Sequence, residues 1–139
     1  MKCILLAAAL ALTTVPAAAR EDGAVTATPL TSATTTNSGQ PIMPPAGPVE
    51  VAVTRVVIPA GTTLPVHKHP FSRYAYVEAG QILVMNLETG TDAQYGPGNF
   101  IVEAVGQWHT GAAIGPKDVR LLVIDQHPPG EAVTVARVP

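Results

Sequence analysis

Hydrophobic and polar residues alternate in short runs along the middle of the chain. β-Branched and aliphatic residues dominate these runs, and turns containing glycine or proline separate them. The runs cover residues 49–58, 74–77, 81–86, 100–104 and 119–125. Short strands at regular spacing with such turns indicate an all-β sandwich or barrel. Beyond the first twenty residues, no stretch has the 3.6-residue apolar period and caps of a helix.

The two ends of the chain lack this alternation. Residues 1–19 have a positive start, an apolar run and small residues ending at Ala19, which is typical of a cleaved secretory signal peptide. We therefore expect a periplasmic or secreted protein without a stable membrane anchor. Residues 20–48 are predicted to be an irregular arm whose later part lies along the barrel or a second subunit, or is a plain linker. The barrel is predicted over 49–128, and a tail over 129–139.

Composition narrows the possible functions. The chain has 139 residues, 47% hydrophobic and 13% charged, which suits one domain with one core. Its single cysteine, Cys3, lies in the predicted signal peptide, so the mature chain offers no disulfide and no thiolate ligand. The formal net charge is −2 with no basic run, which argues against a nucleic-acid partner.

The histidines are the strongest chemical signal. His67 and His69 are two residues apart, so on an extended strand both side chains point to the same face while Lys68 points away. Two imidazoles on one face can share a metal ion. A pair of surface histidines is the alternative reading of this motif alone. His109, which follows a strand and a glycine turn, is a candidate third ligand.

The spacing of these residues resembles the two motifs of the cupin family, with Ala104 where that family usually has proline. The matching residues are Gly61, His67, His69 and Gly80 in the first motif, and Gly98, Gly106 and His109 in the second. The resemblance implies a six-to-eight-stranded barrel or jelly roll. It also implies a divalent ion (iron, manganese, nickel, copper or zinc) held by three His and one Glu, and often a homodimer.

The sequence departs from the family at the glutamate. That residue should fall at position 73 or 74, where Arg73 and Tyr74 stand. Arginine stays protonated and has no acceptor, so it cannot ligate a metal. The motif does not place Glu78 or Glu103 as ligands either. The sequence therefore predicts a three-His site of His67, His69 and His109, in which the metal keeps its full double charge.

Arg73 beside such an ion needs an explanation, because two unit charges about 4 Å apart interact by roughly 4 kcal/mol at an effective dielectric of about 20. One hypothesis is a small anionic molecule held by the metal and a bidentate Arg73. Alternatively, Arg73 turns outward or pairs with an acidic residue, or it replaces the metal and leaves a metal-free barrel. Tyr74 and Tyr76 share the opposite strand face, although a bulge would bring Tyr74 to the site.

Three further residues are candidates for substrate binding. Phe71 and Trp108 each stand near a candidate ligand and could wall a small apolar pocket, or they are ordinary core aromatics. Gln107 could donate a hydrogen bond to a bound molecule, or it is a solvated turn residue. His127 and Asp125 are predicted to be exposed groups of the barrel.

Two functions remain open at this level. The first is a small metalloenzyme with oxygenase-like or other metal-assisted chemistry on a small anionic molecule. The second is a non-catalytic metal- or ligand-binding module that acts as a sensor, scavenger or accessory protein. The motif supports the same site in both cases.

Overall fold

Two antiparallel sheets make up the fold in the computed structural model, which describes residues 23–138. The described residues contain no helix, and so none that could cross a membrane. The predicted signal peptide lies outside the described residues. The strands are β1 (Glu50–Ile58), β2 (His67–Lys68), β3 (Ser72–Ala79), β4 (Gln81–Asn86), β5 (Thr91–Tyr95), β6 (Phe100–Val102), β7 (His109–Ile114), β8 (Val119–His127) and β9 (Val135–Ala136).

The strand order places the two sheets around one core. The first sheet runs β1-β8-β3-β6 and the second runs β5-β4-β7-β2-β9. Strand β8 shows the alternation that forms the core, because Val119, Leu121 and Val123 are buried while the residues between them are not. Ala75 and Val77 of β3 are fully buried on the same side. The predicted all-β, jelly-roll-like fold is confirmed.

The N-terminal arm does pack along the barrel. Residues 34–42 fold back on themselves and dock beside β6, where the Asn37 N–H donates to the Val102 carbonyl at 2.7 Å. The Gln40 amide clamps the backbone of Val105, donating to its carbonyl and accepting from its N–H, both at 2.9 Å. The arm therefore fixes the segment after β6, which carries Glu103.

The C-terminal segment also joins the barrel. The sequence predicts a tail over 129–139. In the structure, two residues of this segment form strand β9, which pairs with β2. In this pairing Ala136 faces His67, and Val135 faces Lys68. The second sheet thus ends on a strand that lies directly beside the histidine motif.

Candidate metal centre

Three histidines converge at one end of the barrel. His67 of β2 faces His109 of β7 across the strand pair, and His69 follows just after β2. The centroids of the three rings are 4.5–5.0 Å apart. One ring nitrogen from each histidine lies within 4.8 Å of the others. His69 and His109 are buried and His67 is half-buried, so the cluster predicted from the motif is present.

Backbone carbonyls fix the tautomer of each ring. A carbonyl only accepts hydrogen bonds, so an Nδ1 in contact with one must carry the proton, which leaves Nε2 with a free lone pair. The accepting carbonyls belong to Pro65 for His67, Val133 for His69 and Gln107 for His109, at 2.7, 2.9 and 2.9 Å. Metal-binding histidines are typically oriented by such partners. In their neutral forms all three rings can therefore offer Nε2 as a metal ligand.

Glu103 lies beside two histidines of the cluster, although the sequence interpretation did not make it a ligand. Its Oε2 lies 3.2 Å from His69 Nε2 and 3.4 Å from His109 Nε2. Two ligand atoms each about 2.1 Å from one ion are roughly 3.0–3.4 Å apart at octahedral or tetrahedral angles. These separations therefore fit a shared ion.

The position of Glu103 follows from strand pairing. Its N–H donates to the Arg73 carbonyl at 2.9 Å, beside the register pair of Tyr74 with Val102. The carboxylate thus stands across the strand pair from position 73, where the family motif would place its glutamate. The register between β3 and β6 determines this position of Glu103, and the spacing of residues along the chain does not predict it.

The electrostatics of the cluster favour a cation at its centre. Burial alone would raise the pKa of Glu103. However, contacts with His109 and His69, together with the Arg73 charge, hold this pKa well below its usual range. Burial lowers the pKa of His67. Burial also acts to lower the pKa of His109, but the contacts with Glu103 and with the Gln107 carbonyl together outweigh it and raise this pKa.

The surroundings of His109 Nε2 bear on whether a metal ion fits the cluster. His109 Nε2 is buried and makes no hydrogen bond, although it faces the Glu103 carboxylate. Two acceptor atoms face each other stably only when a proton or a metal ion lies between them. Three nitrogens and one carboxylate oxygen form a donor set that suits divalent transition metals.

Arg73 faces inward but is already paired. Its Nε and Nη2 donate to the two carboxylate oxygens of Asp125 at 2.6 and 3.1 Å. Asp125 is only 4% exposed, so its interpretation as a surface charge is wrong. The remaining nitrogen, Nη1, lies 3.4 Å from His69 Nε2. Of the alternatives for Arg73, the structure shows the pairing with an acidic residue.

A cavity of about 60 Å³ opens beside the cluster. The three histidines, Arg73 and Glu103 line its polar end, and aliphatic side chains from both sheets line the rest. A water molecule needs roughly 10–15 Å³ of such space, so the cavity holds a few waters or a comparably small molecule. The site thus combines a charged end with an apolar chamber.

Two of the predicted substrate-binding residues lie away from this cavity and make other contacts. Tyr74 points to the outer face of the first sheet and stacks on Phe100, with ring centroids 6.0 Å apart. The Gln107 side chain accepts a hydrogen bond from Asn86 Nδ2 at 2.8 Å. Gln107 acts on the cluster only through its main chain, which orients His109.

The two aromatic candidates do not wall the cavity either. Trp108 is covered from the outside by Lys68, whose Nζ is 4.7 Å from the ring centroid, and by Arg137 at 5.9 Å. Phe71 is half-buried. His127, which was expected to be exposed, is only 5% exposed, so that prediction is wrong. Its Nδ1 lies 3.0 Å from the Pro128 carbonyl, away from the three-His cluster.

Comparison with protein families identifies the class. The model of the cupin domain matches residues 54–125, which is more than half of the chain. The chain therefore belongs to the cupin family. No curated protein matches the sequence significantly.

Several solved structures share the fold. The DMSP lyase DddQ from Ruegeria pomeroyi is 24% identical with a TM-score of 0.54, over 62% of this chain and 42% of that one. The polyketide cyclase RemF from Streptomyces resistomycificus is 20% identical with a TM-score of 0.54, over 64% and 61%. The oxalate decarboxylase from Lactobacillus farciminis is 20% identical with a TM-score of 0.54, over 62% and 26%. The match spans less than two thirds of each of these three chains, and at this identity it shows the fold alone.

Proposed function

We propose that this cupin holds a divalent metal ion with His67, His69, His109 and Glu103 and binds a small anionic molecule at the coordination positions left open. The observation that supports the metal is the convergence of three Nε2 atoms, whose rings each hold a proton on Nδ1 when neutral, beside one carboxylate oxygen. A bound metal of this kind supplies Lewis-acid polarisation, a lowered pKa of bound water, or oxygen chemistry if it is iron. We propose metal-assisted conversion of the small molecule as the activity.

Charge supports the anionic class of ligand. A divalent ion contributes +2 and Glu103 contributes −1, while Arg73 and Asp125 cancel each other, so the site carries about +1 when its histidines are neutral. The apolar chamber strengthens the attraction because it lowers the local dielectric. Arg73 Nη1 is the guanidinium nitrogen not used by Asp125, and it can donate to an anion in the cavity.

Metal analysis tests the first half of the proposal. Protein purified without a histidine tag and supplied with transition metals should contain about one equivalent of divalent ion. His109→Ala should lose it, and Glu103→Gln should bind it more weakly, because Gln keeps the shape but removes the negative charge beside the ion. The control is His127→Ala, which removes a buried histidine outside the cluster and should retain the metal.

The outcome that contradicts the metal site is a native protein with less than about a tenth of an equivalent after metal supplementation. Loss of metal in His127→Ala to the same degree as in His109→Ala would also contradict it. In that case the effect would be general damage to the barrel.

A matched pair of small probes tests the anion. Acetate and acetamide have nearly the same size, and both are comparable with the cavity. In protein loaded with Co²⁺, acetate should shift the visible spectrum at concentrations where acetamide does not, because only acetate carries the charge. Equal responses to the two probes would reject the anionic class while leaving the metal site standing.

A further inference from the structure

The C-terminal residues 133–137, called the strap below, contact His67 and His69 of the candidate metal centre. The Val133 carbonyl lies 2.9 Å from His69 Nδ1, so it accepts the proton that fixes the tautomer of this ring. Thr134 Oγ1 lies 3.3 Å from the same nitrogen. The ring of His69 is thus oriented by residues more than sixty positions away in the chain.

The strap also fixes the backbone of His67. Strand β9 is hydrogen-bonded to β2, and the Arg137 N–H donates to the Val66 carbonyl at 2.9 Å. Val66 stands between Pro65, whose carbonyl orients the His67 ring, and His67 itself. The ring of the third histidine, His109, is oriented instead by the Gln107 carbonyl, two residues earlier in the chain.

The strap is docked by few interactions. Strand β9 has only two residues, both exposed, and Val135 retains 38% of its surface. No strap residue belongs to the buried core cluster. Segments with little buried apolar surface open locally at low free-energy cost, without unfolding of the whole domain. Local opening of the strap is therefore expected to cost less free energy than unfolding of the whole barrel.

We infer that the strap is a positioning element of the metal centre: it holds His67 and His69 ready to bind the metal, and the bound metal in turn keeps the strap docked. The inference rests on the proposed metal site. The second half follows from linkage, because an element that raises metal affinity must itself be stabilised by the metal to the same extent. Loss of such an orienting partner typically costs 10–100-fold in metal affinity.

Three variants isolate the strap. Deletion of residues 132–139 removes it entirely and should weaken metal binding by about 10–100-fold. Arg137→Pro removes the N–H that binds the Val66 carbonyl and should weaken binding several-fold. Arg137→Ala is its matched control: it removes the same side chain, including its contact with Trp108, but keeps the N–H, and should bind as the native protein does.

Two spectroscopic measurements detect the orientation of the His69 ring and the docking of the strap, rather than the stability of the barrel. The imidazole ¹⁵N shifts of His69 in the metal-free native protein should show one tautomer, with the proton on Nδ1, and those of the truncated protein should show a mixture. Hydrogen exchange at the Arg137 amide of the native chain should slow when metal is added. Metal affinities are measured by competition with a coloured chelator.

The results separate the two proposals. If the native protein binds metal but the truncated and Arg137→Pro proteins bind it as tightly, the strap has no positioning role and the metal site stands. If the native protein binds no metal, both proposals fall. Should the truncated protein not fold, the comparison of Arg137→Pro with Arg137→Ala decides, and equal affinities overturn the inference.

Discussion

At the scale of single residues, Asp125 neutralises the charge of Arg73, which would otherwise repel a metal ion bound beside it. Both carboxylate oxygens are used by the guanidinium, and both side chains are largely buried. A buried pair of this kind is weak evidence for stability in itself, but removal of one partner leaves an uncompensated charge. Asp125 therefore affects both the fold and the charge at the site.

Asp125→Asn is expected to destabilise the protein by about 3–5 kcal/mol, because Arg73 stays charged without its partner. It should also weaken metal binding, since the nominal charge at the loaded site rises from about +1 to about +2. Urea unfolding of the metal-free protein and chelator competition measure the two effects. Asp92→Asn, which changes an exposed carboxylate on β5, is the control. Equal behaviour of the two variants would contradict the role given to Asp125.

At the scale of elements, the tight connection between β3 and β4 depends on Gly80. Its φ is +73°, a conformation that residues with a Cβ rarely adopt. A Cβ at this position would also clash with the backbone oxygen of Asp118, which leads into β8. The turn therefore joins the two sheets only if residue 80 has no side chain.

Gly80→Ala should destabilise the barrel far more than Gly90→Ala. Gly90 also has a positive φ, +68°, but a Cβ there meets nothing within 4 Å. The control thus carries only the backbone penalty of about 1–2 kcal/mol, and the clash with Asp118 adds to it at Gly80. Thermal or urea unfolding compares the two. Equal losses would show that the backbone at Asp118 gives way at little cost.

The elements also show what the sequence can and cannot predict. Strand β4 is predicted residue for residue, and β1 to within one residue, because their β-branched alternation is regular. Strands β2 and β9 have two residues each, which is too short for any pattern. The histidine cluster follows from spacing along the chain. In contrast, Glu103, Asp125 and the strap join the site through pairing between distant strands, and a single sequence does not specify that register.

At the scale of the whole molecule, a metal would tie the two sheets together. His67 and His109 belong to the second sheet, whereas Glu103 follows β6 of the first. An ion bound by all of them favours the folded state by mass action, by about 2.7 kcal/mol at a free metal concentration of about 100 times Kd. Metal binding should therefore raise the Tm of the whole barrel.

This rise in Tm should be larger near pH 8 than near pH 5.5, because metal ions compete with protons for the ligands. In the metal-free protein, the contacts of His109 with Glu103 and with the Gln107 carbonyl outweigh burial and raise its pKa above the ordinary value of 6.5. Protonated His109 therefore stabilises the metal-free fold below that value, and this contribution is lost as the pH rises through the raised pKa. Below the raised pKa the metal must displace that proton, and above it the metal need not. Scanning calorimetry with and without metal measures the difference, with His109→Ala as the control that should show no rise at either pH. An equal rise at both values in the native protein would contradict the release of a proton from His109 between these pH values when the metal binds.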